Sequence, residues 1–165
     1  MVRRPPGFTI VEIIVVLLLM STIGAALLSR SVTTTNMNLA PQTDIIRNHL
    51  RYAQSMAMKR TDTVWGIKFD TTQSEYWLFR GTSPDNVSDQ VRLPGVDYAG
   101  SSNKAHLASG ISLSTDLEQA TVFFDRIGKP YSPNSTTTIT NQRTVTVSAG
   151  ENRTITITPE TGLIR

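Results

Sequence analysis

The chain contains no cysteine, which excludes disulfide bonds, thiol chemistry and metal sites with cysteine ligands. Histidine is nearly absent too, since His49 and His106 are the only two. Neither has a carboxylate at ligand spacing, so we expect a solvated or capping role for both. The sequence shows no nucleophile elbow, no pair of catalytic carboxylates and no glycine-rich phosphate loop. It therefore predicts a protein that is not an enzyme and that binds no cofactor.

A metal site is not predicted either. The acidic loop residues Asp85, Asn86, Asp89 and Asp97 carry oxygen ligands of the kind that calcium prefers. Their spacing is not that of an EF-hand, however. We interpret them as a solvated loop.

Excess charge of one sign is also missing. The formal net charge is +3, and Arg3 and Arg4 supply two of those charges, so the chain from residue 8 onward carries only +1. A nucleic-acid-binding domain needs clustered cations. Arg143, Arg153 and Arg165 are the remaining candidates for such a cluster, and DNA binding by them is the alternative hypothesis.

Apolar residues are concentrated at the N-terminal end. From Phe8 to Leu28 the only ionisable side chain is Glu12. A helix of about 21 residues is about 31 Å long, which matches the thickness of a bilayer core. We therefore predict a transmembrane helix over 8–28. The short basic segment 1–7 favours a cytoplasmic N-terminus, which places the larger domain on the other side of the membrane.

Glu12 is the unusual feature of this run, because a carboxylate inside a membrane is costly and calls for a partner. An ordinary signal peptide or signal anchor, with a weak cleavage site within 21–29, is the alternative interpretation and leaves Glu12 unexplained. The segment 7–12, GFTIVE, resembles the prepilin signal of type IV pilins and of type II secretion pseudopilins. The resemblance implies cleavage by a prepilin peptidase between Gly7 and Phe8, and N-methylation of Phe8.

Such cleavage would create a cationic amine on Phe8, four residues before Glu12. In a stack of parallel helices, the amine of an incoming subunit can pair with Glu12 of its neighbour and offset the desolvation of both charges. We therefore assign Glu12 to filament assembly. The small residues within the span, Ser21, Thr22, Gly24, Ala25 and Ala26, would permit close helix packing or are ordinary span composition.

A stalk over 29–60 follows. Its first part is rich in β-branched and Asn residues, and Pro41 predicts a kink or break near Ala40. Over 44–60, Ile46, Leu50, Ala53 and Ala57 recur at helical spacing. We expect this half to be an amphipathic helix packed on a sheet, with Arg47, Arg51 and Lys59 on its solvated face.

The head, 61–165, changes to strand periodicity. Alternation predicts a hairpin of 64–69 with 75–80 across the loop 70–74, and a second hairpin of 144–148 with 153–158. Val145, Val147, Ile155 and Ile157 would face the core of this second hairpin. Shorter strands are predicted near 90–93, 111–113 and 120–125, which makes about six to eight antiparallel strands in two packed layers.

The segments 50–60, 123–130 and 161–165 are similar to the GspH/FimT family of minor pseudopilins and minor pilins. The resemblance implies an α+β, pilin-like fold with a long N-terminal helix packed on an antiparallel β-sheet head. It implies a minor structural subunit of a type II secretion pseudopilus in the inner membrane, with a periplasmic head. The alternative is a FimT/FimU-like minor pilin of a type IV pilus. The implied partners are other pilins, the prepilin peptidase and the inner-membrane assembly platform.

Overall fold

Two helices form the N-terminal part of the computed structural model, which describes residues 10–30, 33–60, 62–98, 102–132 and 139–165. Helix α1 spans Ile10–Arg30 and helix α2 spans Thr33–Lys59. Within the described residues, no helix combines the length and the apolar character needed to cross a membrane.

The sequence predicted a kink or a break near Ala40. Helix α2 continues through Pro41, which excludes the break. Proline cannot donate the backbone hydrogen bond of its turn, which costs about 3 kcal/mol in a helix interior. Leu39, Thr43 and Ile46 are buried on both sides of the proline, and the Thr43 hydroxyl donates to the Leu39 carbonyl oxygen at 2.7 Å. Packing of α2 against the head therefore outweighs the local cost.

The amphipathic pattern of α2 is confirmed. Its predicted apolar stripe, Ile46, Leu50, Ala53 and Ala57, is fully buried. Arg51 is exposed as expected, yet its guanidinium also donates to the carbonyl oxygen of Ile164 at 2.9 Å. This bond ties the solvated side of α2 to the C-terminal end of the chain.

The larger sheet has six antiparallel strands: β1 Trp65–Asp70, β2 Glu75–Arg80, β3 Gln90–Val91, β4 Ala105–His106, β6 Thr121–Phe124 and β7 Pro130–Tyr131. Their order is β3-β2-β1-β6-β7, with β4 also paired to β2. The predicted first hairpin, β1 with β2, is confirmed, and Ile67 faces Leu78 across it.

A smaller sheet of three strands has the order β5-β8-β9, with β5 at Ser112–Thr115, β8 at Arg143–Ala149 and β9 at Glu151–Ile157. The predicted second hairpin is confirmed, and its four core residues are buried. Its turn is tighter than expected, because Ala149 already faces Glu151 and Gly150 has a φ of 80°. The described residues thus hold nine strands, more than predicted, and α2 contacts both sheets.

Strand β2 is buried on both faces. Ile67, Leu78 and Val122 belong to the main core under α2, whereas Trp77, Phe79 and Phe123 form a second cluster. Because side chains alternate along a strand, the second cluster lies on the face of the large sheet opposite α2. The head therefore has an apolar core on each side of its larger sheet.

Candidate functional site

Glu12 lies in the first turn of α1, and its side chain is exposed. The partial positive charge at a helix N-terminus favours a carboxylate at this place. Gly7 and Phe8, the predicted cleavage and methylation residues, lie outside the described residues. Of the three predicted site residues, Gly7, Phe8 and Glu12, the structure thus describes Glu12 alone.

The surface of α1 around Glu12 is apolar and exposed. Its large apolar side chains between Ile10 and Ile23 have exposed fractions from 49% to 79%. Soluble monomers rarely expose a continuous apolar surface of this kind, so this part of α1 is a candidate contact surface.

Two polar side chains of α1, Ser21 and Thr22, form hydrogen bonds within the helix. The Ser21 hydroxyl donates to the Leu18 carbonyl oxygen, and the Thr22 hydroxyl to the Leu19 carbonyl oxygen, both at 2.9 Å. An added Cβ on Gly24 would meet no described atom within 4 Å. This stretch of α1 therefore carries small side chains whose hydroxyls are already hydrogen-bonded, so a second helix could approach it closely.

His49 is buried, so the predicted solvated or capping role is wrong. Its Nε2 lies 3.0 Å from the carbonyl oxygen of Pro94, and its Nδ1 lies 2.8 Å from the Tyr76 hydroxyl oxygen. A carbonyl can only accept, so Nε2 carries the hydrogen and Nδ1 of the neutral ring accepts from Tyr76. Burial lowers the pKa of His49 and raises that of Tyr76. The residue is structural and joins α2 to β2 and to the loop at Pro94.

His106 is exposed, and its Nδ1 lies 3.0 Å from Oε1 of Glu75. It belongs to strand β4. Asp85, of the predicted solvated acidic loop, is exposed and pairs with Lys68. Among the residues that the structure describes, no three His, Asp or Glu side chains form a group able to hold a metal ion.

The three C-terminal arginines do not share a face. Arg143 and Arg153 lie on the same face of the hairpin as the core residues of β8 and β9, one near each end of the hairpin. Arg165 exchanges two backbone hydrogen bonds with Thr156, whose side chain points to the opposite face. This arrangement does not form the cluster that DNA binding would need.

Comparison with solved structures gives two relevant similarities. The minor pseudopilin EpsH from the type 2 secretion system of Vibrio cholerae has 13% sequence identity and a TM-score of 0.52, over 77% of this chain and 94% of that one. The type IV minor pilin FimU of Pseudomonas aeruginosa has 17% identity and a TM-score of 0.51, over 80% of this chain and 90% of that one. The fold is that of the minor pilins and pseudopilins. Comparison of the sequence with protein-family models and with curated proteins gives no match.

The pilin-like head contains a connection that the sequence did not predict. Gln54 of α2 donates from Nε2 to the carbonyl oxygens of Gly128, at 2.8 Å, and Gly162, at 3.0 Å. Lys129 and Glu160 form an ion pair at 2.5 Å between the same two turns. The sequence signal for this connection was the position of Gln54, a polar residue four positions after Leu50 at the edge of the buried stripe.

A second feature that sequence reasoning missed lies on the outer face of the pilin-like head. Lys68, Trp77 and Lys104 stand side by side on β1, on β2 and just before β4. Lys68 and Trp77 face each other across the predicted β1–β2 hairpin. Lys104 joins them only because β4 pairs with β2 over a long sequence separation, and no local pattern indicates that pairing.

Proposed function

We propose that this chain is a minor subunit of a pilin-type filament, with its N-terminal helix among the helices of other subunits and its β-rich head outside. The main support for this proposal is the position of Glu12, in the first turn of an exposed apolar helix that precedes a pilin-type head. The likeness to two minor subunits supports the same role. The neighbouring subunits would be other pilins or pseudopilins, and the role is structural and not enzymatic.

In this proposal the chain is made as a precursor. The prepilin peptidase cuts between Gly7 and Phe8 and methylates Phe8, as the GFTIVE motif implies. The segment 8–28 holds the subunit in the inner membrane, and the head lies in the periplasm. The basic leader supports this orientation. The assembly platform of the inner membrane then moves the subunit into the filament.

Glu12 gives the assembly step its register. The new amine of Phe8 on an incoming subunit pairs with Glu12 of a subunit already in place. Between packed apolar helices an unpaired charge is costly, so only the axial position that pairs the two charges is stable.

Mass spectrometry of the protein purified from membranes tests the proposal directly. We expect a mature chain that begins with methylated Phe8. A chain that begins with Met1, or beyond the apolar run, would overturn it, because the amine partner of Glu12 would not exist.

Two filament systems remain candidates. We infer a pseudopilus of type II secretion, which supports protein secretion, and the likeness to EpsH supports this choice. The likeness to FimU favours the second candidate, a minor pilin of a type IV pilus. Deletion of the gene separates them: loss of protein secretion with normal surface pili supports the first, and loss of pili with normal secretion supports the second.

A further inference from the structure

An open cleft of about 640 Å³ lies on the outer face of the large sheet. The proposed filament role does not use it. The hairpin turn at Asp70, the loop that carries Asp85, and the segment Ser102 to Lys104 form its walls. Its volume falls within the range of small-molecule sites in proteins.

Two lysines with a tryptophan between them, Lys68, Trp77 and Lys104, form the floor of the cleft. Lys68 faces Trp77 across the β1–β2 pair, and Lys104 lies on the other side of Trp77, next to β4. Their ammonium nitrogens are 5.8 Å and 4.6 Å from the centroid of the indole ring. Trp77 is only 3% exposed, so the two lysines present their charges to the cleft above a covered ring.

Asp85 of the same chain already pairs with one of the two lysines, Lys68. The indole Nε1 of Trp77 donates to the Pro84 carbonyl oxygen at 2.7 Å, which fixes the loop just before Asp85. Both carboxylate oxygens of Asp85 then contact the Lys68 ammonium, at 2.5 Å and 2.6 Å. The Lys68 side chain is 21% exposed and the Asp85 side chain 72%, so a competing carboxylate reaches the ammonium when Asp85 moves out into solvent.

Lys104 is held less tightly. Its ammonium is 3.4 Å from Glu75, and its side chain is one-third exposed. The cleft is also lined by Thr71 and Ser102, which carry hydroxyls, and by Gln90, which carries a side-chain amide. Hydroxyls and amides can each donate and accept, which suits a ligand rich in hydroxyl groups.

We propose that this cleft binds an acidic sugar, whose carboxylate pairs with Lys68 in place of Asp85 while its hydroxyl groups contact Lys104 and the polar walls. The carboxylate supplies a charge-assisted hydrogen bond. The hydroxyl groups of the sugar would hydrogen-bond to the polar side chains that line the cleft, whereas a ligand with only a carboxylate would leave them without a partner in the ligand.

Titration calorimetry of the full-length chain in detergent micelles tests this proposal with glucuronic acid and glucose, which differ only in the carboxylate. We expect glucuronic acid to bind about tenfold more tightly than glucose. Lys68→Gln should remove that preference. Asp85→Asn should tighten the binding of glucuronic acid several-fold, because it removes the internal competitor, and should leave glucose unchanged.

Asp89→Asn is the matched control, since Asp89 is acidic and on the same loop but does not line the cleft. It should leave both affinities unchanged. Equal binding of the two sugars, no binding of either, or an Asp85→Asn affinity equal to that of the unsubstituted chain overturns the proposal. Tighter binding of N-acetyl-aspartate amide than of glucuronic acid also overturns it, because it would identify an acidic peptide as the ligand.

Discussion

His49 on α2 accepts a hydrogen bond from the hydroxyl of Tyr76 on β2, and this bond requires a neutral imidazole. A proton on Nδ1 would turn the acceptor into a donor and place a charge in the core. Burial accordingly lowers the pKa of His49 from its ordinary value of 6.5. Protonation of this one side chain would therefore disrupt a hydrogen bond between α2 and the larger sheet.

Stability should therefore depend on pH through His49. Its pKa is lower in the folded than in the unfolded chain, so the stabilisation is complete above about 6.5 and is lost as pH falls through the folded value. We expect the free energy of unfolding, measured with denaturant in detergent, to decline over that interval. His49→Gln should flatten the decline. His106→Gln is the control and should preserve it, since His106 is exposed.

Gln54→Ala should destabilise the head by about 2 kcal/mol. It removes two hydrogen bonds and leaves the carbonyls of two buried residues, Gly128 and Gly162, without this donor. Glu160→Ala breaks only the exposed ion pair between the same turns and should cost about 0–1 kcal/mol. Denaturant unfolding of both variants gives the comparison, and equal losses would show that Gln54 is not the main link.

Gly66→Ala should cost about 3 kcal/mol or prevent folding. A Cβ at this position would lie 2.4 Å from the Val122 carbonyl oxygen and 2.6 Å from Cζ of Phe79. Overpacking of this kind displaces backbone as well as side chains. Gly95→Ala meets no atom within 4 Å and bears only the strain of its φ of 72°, so it should cost less. A smaller loss at Gly66 than at Gly95 would contradict the packing argument.

Glu12→Gln should leave processing and membrane insertion intact and reduce incorporation into filaments about tenfold, the equivalent of 1.4 kcal/mol. The substitution preserves the size of the side chain and removes its charge. Val11→Ala, in the same turn, is the control and should assemble normally. The measurement is the ratio of filament-bound to membrane protein on immunoblots, and an unchanged ratio for Glu12→Gln would refute the charge-pairing role.

Local periodicity was sufficient to predict much of the fold. The buried stripe of α2 and both main hairpins follow from spacings within a few residues, so Leu50 and Val145 could be assigned to the core directly. The apolar run with Glu12 near its start was equally local. These features needed no knowledge of which elements meet.

Features that depend on distant contacts could not be predicted in the same way. Pro41 is tolerated because buried residues on both sides hold α2 to the head. His49 lies three residues after Ile46, a spacing that places it on the buried stripe, but its partners Tyr76 and Pro94 come from the sheet and from a loop. Likewise, the two turns that Gln54 joins are separated along the chain by more than thirty residues.

The bonds of Gln54 have a mechanical consequence for a subunit that is moved by its helix. One amide on α2 holds the turn before β7 and the turn that follows β9, so a displacement of the helix reaches both sheets at the same point. Force applied along α2 would then be shared between the two halves of the head through this amide, in addition to the packing of α2 against both sheets.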